Sequence, residues 1–423
     1  MRANPRLDEL EIMSFGEREK YQRTQLADAL KRSYAYSETG RELFEKAGLA
    51  PEDITSPDVL ARLPVTRKND IIELETRRLY GGFLTVPPEK VDRIFVTPGP
   101  IYEPLHTESI SWFARAFRAA GFGWGDIAVV TFSYHLSPGG LLFHEALREC
   151  GATVVPAGVG NTDILIRTMR DLKVTGFAGT PSYLLSVIKK AEEMGYDFCR
   201  DFALKRAWFT GEMLTSSIRQ TLEGKYFIDT YQAYAVSEVG GALAYECGEK
   251  NGLHLMDEYL VEIVDPATGQ PLPTGEAGEV VVTPLTNPTW GLFRFGTGDL
   301  AAVTAGSCPC GRTSLKLSAI TGRVGDAAKV RGLFVVGRQV EGLLAGIAGV
   351  AKCQVLVTRP GERDELMLKI ELKNENINQE GLRDEIAERF QRECLLRPDA
   401  IEFVPEGALP KDAKTVTDLR QWR

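Results

Sequence analysis

From about residue 91 to residue 210, short apolar runs alternate with helix-length amphipathic stretches. That alternation confines the chain to a mostly parallel sheet with crossover helices. Strand candidates are Ile94-Phe95-Val96, Ile127-Ala128-Val129-Val130-Thr131, Ala152-Thr153-Val154-Val155 and Gly176-Phe177-Ala178. Asn161 or Thr162 caps a helix whose predicted apolar face is Ile164, Leu165, Met169 and Leu172. Thr180-Pro181-Ser182-Tyr183 opens another, with proline tolerated in the first turn. Upstream, residues 8 to 50 read as helices carrying Leu26, Leu30 and Leu43, followed by a loop with Pro51 and Pro57.

A chain of 423 residues exceeds the size at which one hydrophobic core keeps growing, so two or more domains are expected. Gly269, Pro271, Pro273, Gly275 and Gly278 punctuate hairpins around Val261-Glu262-Ile263-Val264 and Glu279-Val280-Val281-Val282, which predicts a small antiparallel or barrel-like part. After Gly322 the pattern becomes a compact α+β unit: Val340, Leu343, Leu344 and Ile347 recur at helical spacing, residues 352–358 and 366–372 alternate as strands, and Leu382, Ile386, Phe390 and Cys394 mark a helix. The expected fold class is α/β, a large multi-subdomain body over residues 1–321 with a small α+β unit over residues 322–423.

A net charge of −8 offers no broad basic surface for nucleic acid, so an anionic ligand must be held by local donors and a metal ion. No apolar run approaches the roughly 20 residues that span a bilayer. The first eight residues lack the apolar centre of a signal peptide, which sets a cytoplasmic expectation. Seven cysteines in a chain this long do not suggest a disulfide framework.

The densest polar machinery lies between Phe293 and Glu341. It reads Phe293-Arg294-Phe295-Gly296-Thr297-Gly298-Asp299, then Ser307-Cys308-Pro309-Cys310-Gly311-Arg312-Thr313, then Gly322-Arg323-Val324-Gly325-Asp326, with Lys329, Arg331, Gly332, Gln339 and Glu341 beyond. In order and spacing this segment resembles the phenylacetate-CoA ligase branch of the adenylate-forming enzymes. The resemblance extends to Leu63-Pro64-Val65-Thr66-Arg67-Lys68-Asn69-Asp70, to Leu79 and the eight residues after it, to Trp208-Phe209-Thr210-Gly211-Glu212-Met213 and to Ala233-Tyr234-Ala235-Val236-Ser237-Glu238.

The resemblance implies an acid–thiol ligase that joins a carboxylic acid to AMP and then to CoA, with ATP, Mg²⁺ and CoA as partners. It implies that the backbone of Gly211 and Glu212 lies against adenine, Tyr234 stacks on it, Ser237 meets phosphate, Glu238 takes up Mg²⁺, Asp299 accepts the ribose hydroxyls and Arg323 belongs to the nucleotide site. A carboxylate with two acceptor oxygens suits a diol, and Mg²⁺ favours a carboxylate plus phosphate oxygens. The unit after Gly322 becomes a mobile lid, and Lys414, with Lys411 in reserve, is the cation it delivers. Tyr134 and His135, following Phe132 and Ser133, leave room for an aromatic acid; His144 reads as a packing residue and His106 has no context.

Cys247, His254, Cys308 and Cys310 together offer three thiolates and an imidazole, a set suited to closed, structural Zn²⁺ and one the family also carries; buried free cysteines are the plainer alternative. A homodimer stays open. Three departures weaken the resemblance. At Thr97-Pro98-Gly99-Pro100-Ile101-Tyr102-Glu103-Pro104 most hydroxyls and the lysine of a phosphate loop are missing; Gly325 replaces the hinge acid; and the stretch around Lys414 is about three residues short, without its glycine. Gly296 also stands where the family often has arginine. They keep alive a relative that binds nucleotide or acyl ligand without efficient ligation, or one that adenylates for an acceptor other than CoA.

Overall fold

The computed structural model describes residues 7–54, 57–97, 100–105, 110–330, 333–358, 360, 364–373, 378–394, 396–410 and 412–420. Pro98, Gly99, His106, Arg331, Gly332 and Lys411, named above, lie outside them.

The body is built on a nine-stranded sheet. Five strands, Thr153–Val155, Ile127–Val130, Gly176–Gly179, Arg206–Phe209 and Asp229–Val236, run parallel in that spatial order. Helices Gly139–Glu149, Thr162–Asp171, Pro181–Glu193 and Ser216–Gly224 supply the crossovers, as parallel neighbours demand. The sheet continues antiparallel through Gly241–Glu246, Leu253–Leu255, Lys316–Leu317 and Val303–Thr304. The central parallel strands are mostly apolar, with Ala128, Val129, Val130, Phe177, Ala178, Ala207, Trp208 and Phe209 all buried, because both their faces are covered.

Two sequence expectations change here. The run at Ile94 joins a separate two-stranded hairpin, Arg93–Thr97 with Ile101–Leu105, because the chain turns back within three residues and an antiparallel partner is the one that so short a turn allows. In helix Thr162–Asp171, Asn161 caps by accepting from the Ile164 amide, but Ile164 is 60% exposed and Leu172 49%; Leu165, Ile166 and Met169 are buried. The buried stripe is thus rotated toward Ile166 by the covering helix Pro181–Glu193.

The hairpins at Tyr259–Val264 and Gly278–Pro284 form, with Phe295–Ala301, Thr66–Arg67 and Gly322–Arg323, an open five-stranded sheet. This is the barrel-like part, and it is not closed. Helix Phe15–Tyr36 begins at a capping box, Ser14 with Glu17, and with helix Glu38–Ala47 closes a core of Leu26, Leu30, Phe44 and Phe293.

Beyond Ala327 a second core forms. Strands Ala400–Val404, Glu365–Leu372, Val350–Thr358 and Val416–Asp418 make one sheet, and helices Gly337–Leu344 and Gln379–Cys394 bury Val340, Leu343, Leu382, Ile386 and Phe390 against Val355 and Leu368. No described helix is long and apolar enough to cross a membrane.

Candidate functional site

A cavity of about 400 Å³ opens at the carboxyl ends of the parallel strands, the place where α/β sheets gather ligands. Its polar lining is Lys68, Thr97, Ser237, Glu238, Thr297, Asp299 and Arg323. Its apolar lining is Phe132, Pro138, Leu142, Phe143 and Phe295, beside Gly139, Ala235 and Gly241.

Ser237 and Glu238 sit in a short 3-10 turn immediately after strand Asp229–Val236, so the sheet itself delivers them. Glu238 is buried and accepts from the Lys68 ammonium at 2.9 Å and the Ser237 hydroxyl at 3.2 Å. Lys68 comes from the first turn of helix Lys68–Glu75. Its sequence context resembled the family, yet nothing local marked it as a site residue; its partner is 170 positions away.

Asp299 lies where strand Phe295–Ala301 bulges. The Thr297 hydroxyl donates to the Val280 carbonyl at 2.9 Å and accepts from the Asp299 amide at 3.1 Å, while Gly298 takes φ +74°, the left-handed region that glycine enters without cost. The Asp299 carboxylate accepts from the Tyr234 hydroxyl at 2.8 Å and pairs with Arg323 at 3.0 Å. Burial raises its pKa against the opposing pull of those two partners. Tyr234 is itself buried, and burial together with the Asp299 charge drives its hydroxyl well above the usual range, keeping it a donor.

Gly211 lines the cavity, but the exposed Glu212 turns its carboxylate to the Ser182 hydroxyl at 2.9 Å. Tyr234 is behind the wall. Tyr134 and His135 are not among the described lining residues: the Tyr134 hydroxyl meets His144 Nδ1 at 3.2 Å and His135 is exposed. Leu142 and Phe143 contribute apolar lining instead, from helix Gly139–Glu149.

The altered turn carries a surprise. Glu103 is buried and accepts from the Thr97 hydroxyl at 2.6 Å, while its Oε2 has no hydrogen-bond partner among the described residues. Burial, reinforced by the neighbouring Glu238 charge, pushes its pKa to about 7, against the pull of Thr97, Ser237 and Lys68. The Tyr102 amide is taken by the Glu75 carboxylate at 3.1 Å. These groups are therefore committed to one another.

Lys414 is exposed on the C-terminal unit and is not among the residues that line the cavity. A Cβ built on Gly325 would stand 3.9 Å from its ammonium. The neighbouring Thr415 hydroxyl donates to Glu341, which fixes the end of the loop.

Cys247, His254, Cys308 and Cys310 converge although 63 residues of chain separate the first from the last, with their ligand atoms within 4.8 Å of one another. Cys247 Sγ to Cys308 Sγ is 3.7 Å and Cys310 Sγ to His254 Nε2 is 3.5 Å. Tetrahedral Zn²⁺ with bonds of about 2.3 Å to sulfur requires sulfur–sulfur separations of roughly 3.8 Å, so the donor set fits. Burial, with Arg312 and Lys316 nearby, lowers the His254 pKa to about 4, leaving a neutral imidazole, and the Ser314 hydroxyl lies 3.2 Å from Nδ1.

Residues 104–284 match the family model of the AMP-binding enzyme and residues 332–420 that of the AMP-binding enzyme C-terminal domain. The chain is 33% identical to the phenylacetate-coenzyme A ligase of Thermus thermophilus, over 90% of this chain and 92% of that one. It is 32% identical to the phenylacetate-coenzyme A ligase of Aromatoleum evansii, over 98% and 97%. Among solved structures, an open conformation of 2-hydroxyisobutyryl-CoA ligase with 2-HIB-AMP and CoA superposes at a TM-score of 0.87 and 25% identity, covering 96% of this chain and 93% of that chain. Its thioesterification state superposes less well, at 0.71 and 25% identity over 97% and 91%.

Proposed function

The chain belongs to the phenylacetate-coenzyme A ligase family of AMP-binding enzymes, and on that premise we propose that it activates a carboxylic acid with ATP and passes the acyl group to CoA, an arylacetic acid fitting best. The observation that carries this reading is one cavity of about 400 Å³ lined both by the charged and hydroxyl groups of Lys68, Ser237, Glu238 and Asp299 and by the apolar side chains of Phe132, Leu142 and Phe143. The acid's body lies against Phe132, Leu142 and Phe143, with its carboxylate toward Ser237 and Glu238. A carboxylate oxygen attacks the α-phosphorus, the bond to the β-phosphate breaks, and pyrophosphate leaves.

Asp299 accepts the ribose hydroxyls, Gly211 offers backbone to the base, and Tyr234 serves as the second shell of the ribose site. Lys68 takes the phosphate-neutralising place that the turn with Glu103 does not fill, with Lys414 as the lid's cation. Glu238 would hold Mg²⁺ together with phosphate oxygens, and the ion would supply electrostatic stabilisation of the developing charge. We read residues 322–423 as the lid; its rotation brings the CoA thiol to the acyl carbon, AMP leaves, and the thiol proton passes to solvent.

The four-residue cysteine and histidine cluster is read as a structural zinc site, since four protein ligands leave no open position. One zinc per chain in the purified protein supports it, and a metal-free protein of unchanged Tm overturns it. The cytoplasm is the proposed compartment.

To test the activity, incubate the protein with ATP, Mg²⁺ and phenylacetic acid or short fatty acids, following pyrophosphate with and without CoA. Thioester formation favouring the aryl acid is expected. Pyrophosphate without thioester would assign another acceptor, and no release with any acid would leave a binding protein.

A further inference from the structure

The Thr297-Gly298-Asp299 bulge is underpinned by a carboxylate that takes no part in the chemistry described so far. Glu279 is fully buried on the neighbouring strand Gly278–Pro284. Its Oε1 accepts the Gly298 amide at 3.2 Å and is ion-paired with Arg67 Nη1, while Oε2 has no hydrogen-bond partner among the described residues. Arg67 also donates to the Pro266 carbonyl at 3.2 Å, so its guanidinium is held at both ends.

The pair fills the space where a side chain would otherwise stand. A Cβ at Gly296 would lie 2.7 Å from Glu279 Oε1 and 3.2 Å from Arg67 Nη1. Arg67 reaches this point because strand Thr66–Arg67 runs parallel to Phe295–Ala301 with Arg67 opposite Gly296.

The pair is buried only at its Glu279 end, the Arg67 side chain being 38% exposed, so it is a poor way to stabilise a fold: a solvent-screened cation offsets little of the cost of burying the carboxylate. What it does here is directional. The Gly298 amide is otherwise a loose donor at a bulge with positive φ, and Glu279 fixes it one residue before the carboxylate that faces the cavity.

We propose that the Arg67–Glu279 pair is the positioning device for ribose recognition: it holds the bulge so that both Asp299 oxygens meet the sugar hydroxyls. This rests on the reading of Asp299 as the ribose acceptor. Glu279 and Arg67 are positioning residues and touch no substrate.

The test compares ATP with 3′-deoxyATP in acid-dependent pyrophosphate release for the full chain, Glu279→Gln, Arg67→Gln and Asp299→Asn. The wild type prefers ATP. In Glu279→Gln the ratio of kcat/KM values shrinks by about tenfold, the scale of one charge-assisted hydrogen bond, while KM for the acid stays within about twofold. Arg67→Gln shrinks it in the same direction and serves if Glu279→Gln does not fold. If Asp299→Asn abolishes the preference while the folded Glu279 and Arg67 variants keep it, the positioning role is overturned. If Asp299→Asn keeps it too, the ribose reading itself falls, and the inference with it.

Discussion

Tyr234 donates its hydroxyl to Asp299 Oδ2 at 2.8 Å, bridging residues 65 positions apart on different sheets. The bond joins the end of the parallel sheet to the bulge of the open one, and both elements border the same cavity. Replacing Tyr234 by Phe removes the donor and almost no volume. We expect KM for ATP to rise by about tenfold with kcat nearly unchanged, because the bond orients a ground-state contact. Steady-state kinetics with ATP varied decides it; an unchanged KM in a folded variant rules out this orienting role.

Lys68 gives a sharper loss. Its ammonium is bonded to Glu238 and is half-exposed to the cavity; on the proposed reading, a divalent cation bound at Glu238 would release it toward phosphate. Lys68→Met keeps the stem but removes the charge. The expected fall in kcat for pyrophosphate release is about 100-fold, the scale of a lost transition-state cation. A fall below threefold would place the phosphate cation elsewhere.

Glu103 makes stability depend on pH. Burial raises its folded-state pKa to about 7, above the ordinary 4.5, so the native state binds the proton more tightly than the unfolded chain does. Stability therefore falls as pH rises from 4.5 through 7, and the cost is complete above that. Glu103→Gln keeps an acceptor for Thr97 and cannot ionise. It should exceed the wild type in stability at pH 8, on the order of 1–3 kcal/mol, and match it near pH 4.5. Calorimetry at both pH values checks this; an equal gain at each would remove ionisation as the cause.

These residues also mark what the chain's own pattern discloses. The crossover helices and the C-terminal α+β core are legible because local periodicity specifies them, whereas Thr297-Gly298-Asp299 stands out only through the order and spacing of the motifs that carry the resemblance. The cysteine and histidine set was legible as composition, but its closure depends on the strand order that seats Leu253–Leu255 beside Lys316–Leu317. Lys68 and Glu279 were invisible: each acquires its role from a partner far away in the sequence, Glu238 in a 3-10 turn and Arg67 on strand Thr66–Arg67, and neither sits in a local pattern that sets it apart. The Ile94 strand was placed in the wrong sheet for the same reason, since an apolar run says that it is paired and not with what.

The hinge offers the last test. The solved neighbour with the higher TM-score is an open one, and in this state Lys414 rests beside Gly325. With no side chain at 325, nothing from that position holds the ammonium. An aspartate there would put a carboxylate on a Cβ only 3.9 Å from Lys414 Nζ, and an ion pair at the surface stabilises by about 0.2–1 kcal/mol. On the proposed reading, in which the lid carries Lys414 into the cavity, that gain would be a penalty on lid closure. Gly325→Asp should lower kcat for adenylation by about two- to fivefold and leave the ATP KM nearly unchanged, with recovery at high salt. Gly325→Ala, which adds bulk without charge, should stay within about twofold. A salt-insensitive loss shared by both variants would show that glycine at 325 serves backbone freedom alone.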